Sequence, residues 1–166
     1  MPPKKIIIEV DSREHYPLLF PATVDLWNGR GHKRILVEAV RTKLDAGDYR
    51  IQGHGDLVVV ERKGSASELS KNLTTKDQAR QARALRRLVA STKNAYVLIE
   101  CTPYDLLVAS RLNPAPDKTI QRLAALAVKF PLHLVCIGKS TSNPARRKVG
   151  EFVLHLMLGH VKEVWT

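Results

Sequence analysis

The run Leu57-Val58-Val59-Val60 ends abruptly on three charged residues, Glu61-Arg62-Lys63, and no other stretch constrains the fold of this chain as strongly. A short β-branched apolar run predicts a strand buried in a sheet. Charges at the end of such a strand are costly unless they line a site. A second motif, Gly47-Asp48-Tyr49, stands just upstream. An acid at one strand end, followed by acid-x-Lys on the next, suits a metal-dependent phosphodiesterase. Two carboxylates can hold a hard divalent cation through oxygen. A lysine supplies positive charge beside the attacking water and the developing phosphorane.

Neighbouring segments extend the pattern. Ile6-Ile7-Ile8-Glu9-Val10 predicts another buried strand and runs into Asp11-Ser12-Arg13-Glu14, while Glu68-Leu69-Ser70-Lys71-Asn72-Leu73 opens a helix that would cover the site. Strands are predicted at Lys5–Val10, Arg34–Arg41, Tyr49–Ile51, Leu57–Arg62, Ala95–Glu100 and His133–Ile137. Helices are predicted at Ser67–Leu73, Lys76–Ser91, Pro103–Ser110, Lys118–Lys129 and Asn143–Gly159. The first strands cluster as a meander and the later ones alternate with helices, so a mixed sheet with helices on its faces is expected. Turns are expected at Asn28-Gly29-Arg30-Gly31, Gly53-His54-Gly55 and Asn113-Pro114-Ala115-Pro116. With 166 residues, 44% of them hydrophobic, and no internal boundary or repeat, residues 1–166 read as a single domain.

Charge narrows the partner. The 27 basic residues against 16 acidic ones give a formal net charge of +11, which points to a polyanion, nucleic acid ahead of a membrane surface. No stretch approaches the roughly 18–20 apolar residues of a membrane span. Met1-Pro2-Pro3-Lys4-Lys5 leads straight into a strand rather than a signal peptide. Cys101 and Cys136 flank apolar runs and read as reduced core residues of an intracellular protein. The expected location is cytoplasmic or nucleoid-associated, and nuclear in a eukaryote.

Taken together, Val10-Asp11-x-Arg13-Glu14, Leu44-x-x-Gly47-Asp48-Tyr49, Glu61-Arg62-Lys63 and Glu68-Leu69 resemble the nuclease domain of the XPF family of structure-specific DNA endonucleases. The resemblance covers the first 100 or so residues well, through Tyr96-Val97-Leu98-Ile99-Glu100, and the rest in outline. It implies an α/β fold of the restriction-endonuclease-like, PD-(D/E)xK type, with a mixed central sheet flanked by helices. Relatives commonly carry a helix-hairpin-helix module after this domain, whereas the expectation here is a Hef-like, stand-alone nuclease domain without one. Where the family carries its last Asp, separated from the Lys by three residues, this chain has Ser67, and Glu68 looks like the substitute after a one-residue insertion.

The residue roles follow from the ordered set. Asp48 and Glu61 are the expected metal ligands, with Asp11 joining directly or through water, and Mg²⁺ or Mn²⁺ as the ion. Lys63 is the expected electrostatic stabiliser, and Glu68 the altered acid. Arg62 and Arg13 either hold phosphate or pair with the site acids. No organic cofactor is implied. His15 and His54 lie near the motifs, but the carboxylate–lysine set suffices without them. Arg80, Arg83 and Arg87 fall at i, i+3 and i+7 on one helix, within a Gln81-x-Arg83-x-Leu85 stretch that relatives also carry. They are expected to meet the DNA backbone, with Arg146, Arg147 and Lys148 as a second cluster.

The last predicted helix is apolar on two sides. Val149, Phe152, Val153, Leu156 and Met157 form one stripe, Leu154 and Leu158 another, and Glu151, His155, Gly159 and Lys162 a narrow polar strip. Such a helix is either central within the monomer or shared with a second subunit. The expectation is a homodimer through this helix, with Leu154 and Leu158 facing the partner. Expected function is Mg²⁺-dependent endonucleolytic hydrolysis of branched, flapped or single-/double-strand junction DNA, of use in DNA repair or recombination. The alternatives are a catalytically silent DNA-binding scaffold of the same fold, or another carboxylate–lysine nuclease such as a Holliday-junction resolvase.

Overall fold

The computed structural model describes residues 3–27, 29 and 31–165. The expected turn at Asn28-Gly29-Arg30-Gly31 and the start at Met1-Pro2 therefore lie partly outside the described residues. The elements run β1 (Lys5–Asp11), β2 (Thr23–Trp27), β3 (His32–Thr42), β4 (Tyr49–Ile51), β5 (Val58–Lys63), α1 (Ala66–Thr74), α2 (Gln78–Ser91), β6 (Asn94–Glu100), α3 (Pro103–Leu107), α4 (Pro116–Lys129), β7 (Leu132–Ile137) and α5 (Asn143–Val161), with a 3₁₀ turn at Lys162–Trp165. Among the described residues the strands form one seven-stranded sheet in the order β2-β3-β1-β4-β5-β6-β7.

The sheet is mixed, as expected, but its first half is not a meander. β1 and β3 pair in parallel, with β2 on the outer edge antiparallel to β3. β4 then pairs antiparallel with both β1 and β5, while β5, β6 and β7 run parallel. Strand β2 was not foreseen. Its Val24 is buried, but Asp25 and Trp27 look outward, so the apolar signal rests on too few residues for periodicity to reveal it. Cross-strand pairing of Asp25 with Arg34, at 3.0 Å, helps hold the hairpin.

Helices cover both faces because the central strands are apolar on both. Ile6, Ile8 and Val10 of β1, Ile35 of β3, Val58 and Val60 of β5 and Leu98 of β6 pack with Val153, Leu154, Met157, Leu158 and Val161 of α5. Val59, Ala95, Val97 and Ile99 point to the other face, against Leu69 and Leu73 of α1, Leu85 and Leu88 of α2, Leu106 of α3 and Leu123 of α4. The two thiols sit where expected: Cys101 is buried, Cys136 half-buried, and both are free. Burial pushes the Cys101 thiol up to about 12.

The assignment of the two sides of α5 holds only in part: Val153 and Met157 of the expected core stripe are buried, but the outward side differs. Leu154 and Leu158, expected to face a second subunit, are 0% and 1% exposed inside the monomer core. Phe152, expected in the core stripe, is instead 44% exposed, beside the exposed His155 and Gly159. A two-sided apolar helix reflects burial here: the long loop between β1 and β2 closes over the flank that the sheet leaves open. Gly150 makes that closure possible, because a Cβ there would stand 1.9 Å from the Leu19 carbonyl oxygen. Arg146 fastens the same loop, donating to the Pro17 carbonyl and lying 3.9 Å from the centre of the Tyr16 ring.

Candidate active site

Strand periodicity explains which charges meet. Val10 and Tyr49 belong to the α5 face, so their neighbours Asp11 and Asp48 fall on the opposite one. On β5, Val59 faces α1 and α2, and Glu61 and Lys63 continue that face at intervals of two. Asp11, Asp48, Glu61 and Lys63 thus collect at one end of the central strands and line one cleft of about 830 Å³, with Glu68 and Arg87 on its wall.

Asp48 is aimed by the turn before it. Gly47 adopts φ +70°, and a Cβ there would lie 2.3 Å from Val59 Cγ1, so only glycine lets the chain pass this close to β5. The Asp48 N–H donates to the Val60 carbonyl at 2.8 Å, and Asp48 Oδ2 accepts from the Arg62 N–H at 2.7 Å. Burial, and then the negative charge of Glu61, push the Asp48 carboxyl up to about 8. The metal-free fold therefore favours the neutral form of Asp48 beside the Lys63-paired Glu61.

Lys63 Nζ lies 2.8 Å from Glu61 Oε1 and 3.8 Å from Glu68 Oε1. Burial alone would depress its pKa; the charge of Glu61 and the hydrogen bond to it prevail and raise it, so the lysine is cationic. Glu68 does reach the site. It occupies the first turn of α1, where its N–H donates to Ser65 Oγ at 3.1 Å and its Oε2 accepts from the Gly64 N–H at 2.9 Å. It is a helix-start acid and a neighbour of Lys63 at once.

The remaining motif residues pair among themselves. Asp11, 1% exposed, accepts from the Arg13 guanidinium through both oxygens, at 3.0 and 2.6 Å, and from the Arg13 N–H at 2.7 Å. Burial would raise Asp11, but these bonds outweigh it and hold the carboxyl below its usual range. Asp11, on the cleft wall, is thus paired with Arg13 in the metal-free structure. Of the two roles open to Arg62 and Arg13, both take the ion pair. The Arg62 guanidinium pairs with two further acids on the cleft wall, 2.8 and 3.1 Å from Glu100 and 3.3 Å from Glu14. Glu14 and Glu100 were quoted within motifs but given no role. Glu100 carried the same signal as Glu61, a charge ending a buried strand, and its pairing needed the β5–β6 register to be seen.

Among the described residues, no three His, Cys, Asp or Glu side chains cluster closely enough to enclose a metal by themselves. The oxygen donors of Asp48 and Glu61 are of the chemical kind that hard divalent cations take.

The expected DNA contacts divide. Arg87 lines the cleft, Arg80 and Arg83 are exposed on α2, and Arg80 stands 3.5 Å from Asp77. Arg147 is exposed, whereas Lys148 is held by Glu151 at 2.6 Å and Arg146 is buried against Tyr16 and Pro17. Lys139, not foreseen, also lines the cleft from the loop after β7, a loop with no apolar period to betray its place. His15 borders the cleft, and His54 instead packs against Trp165 at 5.9 Å between ring centres. Among the described residues, no helix is long and apolar enough to cross a membrane.

No protein-family model matches the sequence, and no curated protein matches it. Among solved structures, the chain is similar to XPF from Aeropyrum pernix, with a TM-score of 0.58 and 18% identity over 89% of this chain and 61% of that one. It is also similar to XPF from Aeropyrum pernix in complex with DNA, with a TM-score of 0.62 and 20% identity over 95% of this chain and 66% of that one. The chain spans just under two thirds of the length of these structures at most. The fold is that of the XPF nuclease domain, a restriction-endonuclease-like mixed sheet flanked by helices.

Proposed function

We propose that this chain is a metal-dependent DNA endonuclease that hydrolyses phosphodiester bonds in branched, flapped or junction DNA. The observation that carries the proposal is the meeting of Asp48, Glu61 and Lys63 in one cleft. That arrangement on this fold, together with the +11 net charge, supports a polyanionic substrate.

Asp48 and Glu61 would hold Mg²⁺ or Mn²⁺, which when bound neutralises phosphate charge and acidifies water. The Arg62 N–H fixes the Asp48 carboxylate, so its orientation costs nothing when substrate arrives. Lys63, held between Glu61 and Glu68, presents a fixed cation where charge accumulates on the phosphoryl oxygens. The Arg62–Glu100–Glu14 network braces the strand that carries Glu61 and Lys63 at the cleft wall. Arg87 contributes a backbone-phosphate contact at the rim.

The test is to incubate the protein with labelled flap, fork, four-way and linear DNAs, with and without Mg²⁺ or Mn²⁺. Metal-dependent cutting of branched substrates is expected. Binding without cutting under every metal would favour the scaffold alternative. Self-association stays part of this proposal, but on a changed surface: α5 offers Phe152, not Leu154 and Leu158, to a partner.

A further inference from the structure

Two grooves meet at Lys139. The acidic cleft and a second groove of about 430 Å³ share Ser65, Glu100 and Lys139 on their walls. The second groove is lined by Tyr104, Val108 and Leu112, and Tyr104 is 71% exposed. Single exposed apolar residues are ordinary, but several side by side next to a polar cleft mark an interaction surface. Their supports are rigid. The Thr102–Asp105 capping box closes α3, and the Asn113 side chain donates to the Leu106 carbonyl at 3.2 Å while accepting from Thr119 Oγ1 at 3.1 Å. Glu100, the acid on the shared wall, is neutralised by Arg62. The junction between the grooves therefore presents the positive charge of Lys139, while Asp105, also on the second groove's wall, keeps a charged carboxylate that accepts from the Thr102 N–H and hydroxyl.

We propose that the second groove receives an unpaired strand of the DNA substrate. The strand passes from the cleft over Lys139, which meets a phosphate, and one of its bases stacks on Tyr104 with Leu112 beside it. Continuity with the cleft and the charge of Lys139 select this occupant. Only an unpaired base can offer its face to an aromatic ring, since in a duplex both faces are stacked. The inference rests on the nuclease reading and adds to it a separate subsite for the unpaired strand.

The experiment uses an oligodeoxythymidylate carrying one 2-aminopurine, titrated with the whole chain in EDTA, so that no cleavage is required. Stacking quenches the fluorophore. Wild type and Tyr104→Phe should quench it. Tyr104→Ala should lose quenching and bind the single strand about ten-fold more weakly, within the range that base–aromatic stacking supplies, with duplex affinity unchanged. With Mg²⁺, Tyr104→Ala should raise KM for flap substrates and leave kcat unchanged. Single-strand affinity and quenching in Tyr104→Ala equal to wild type would overturn the proposal. So would a Tyr104→Ala/Leu112→Ala variant whose mass by light scattering falls while its single-strand affinity holds, which would assign the patch to a protein partner. Quenching by a wild type that cuts no DNA would uphold the groove and defeat the nuclease reading alone.

Discussion

The backbone N–H of Arg62 donates to Asp48 Oδ2 at 2.7 Å, so the residue between Glu61 and Lys63 also fixes the acid on the adjacent strand. One residue thereby serves the site twice: its amide orients the Asp48 carboxylate while its guanidinium binds Glu100 and Glu14 on the cleft wall. The consequences of this coupling are measurable.

Asp48 gives the metal-free protein a pH dependence. Its carboxyl sits at about 8 in the fold, above the ordinary value of 3.8. Protonated Asp48 is favoured by the folded state, so this contribution is complete below the ordinary carboxylate range and is lost as pH rises toward about 8. Asp48→Asn should therefore melt several degrees higher than wild type at pH 8 to 9 without metal, and close to wild type at pH 4. Mn²⁺ affinity of the wild type should climb with pH over the same window, because binding must displace that proton. Thermal melts across pH, with and without Mn²⁺, check both.

Cleavage should fail in graded fashion. Asp48→Asn and Glu61→Gln each remove a metal-site charge without changing shape and should reduce turnover by orders of magnitude while DNA binding persists. Lys63→Ala should slow the chemical step by about 10²–10³ with metal binding largely retained. Glu68→Gln should lower the rate by less than Asp48→Asn does, since Glu68 touches Lys63 only at 3.8 Å. Single-turnover rates on a flap substrate across Mg²⁺ concentrations would separate these cases, and wild-type rates in the Asp48, Glu61 and Lys63 variants would remove the site.

Breaking the brace should cost stability. Arg62→Ala leaves Glu100 and Glu14 buried without their cation, a change that destabilises by about 3–5 kcal/mol. Glu100→Gln should cost less, because the amide oxygen can still accept from Arg62. Replacing both Arg62 and Glu100 with leucine should recover part of the loss. A double-mutant cycle by urea unfolding measures the coupling.

Arg87, on the cleft, and Arg146, buried under the β1–β2 loop, should separate. Arg87→Ala should weaken DNA binding evenly across sequences and reduce the salt slope by about one. Arg146→Ala should lower the melting temperature through loss of the Tyr16 and Pro17 contacts, with no change in the salt slope. Affinity at several salt concentrations, beside melting curves, distinguishes them.

Helix α5 offers a contrast within two turns. Leu158→Glu should unfold the monomer, because it places a charge in a fully buried position. Phe152→Glu should stay folded, and if α5 mediates self-association it should also lower the mass seen by light scattering at micromolar concentration.

Local pattern was enough for the strands that matter most. The apolar runs ending at Asp11, Glu61 and Glu100 predicted β1, β5 and β6 closely, since a strand buried on both faces writes its burial into consecutive residues. Glycine at Gly47 and acid-x-Lys on β5 likewise marked the cleft, because period-two alternation alone sends Glu61 and Lys63 to one side. What the linear order could not contain was partnership between distant residues. Arg62 and Arg13 read equally as phosphate binders or as partners of acids, and the register of β5 on β6 with the turn after β1 decided for the ion pairs. Arg146 looked like its neighbours Arg147 and Lys148 until the β1–β2 loop folded over α5 and buried it. Leu154 and Leu158 looked interfacial for the same reason: an apolar flank on a helix states that it is covered, and only the path of the chain supplies the cover.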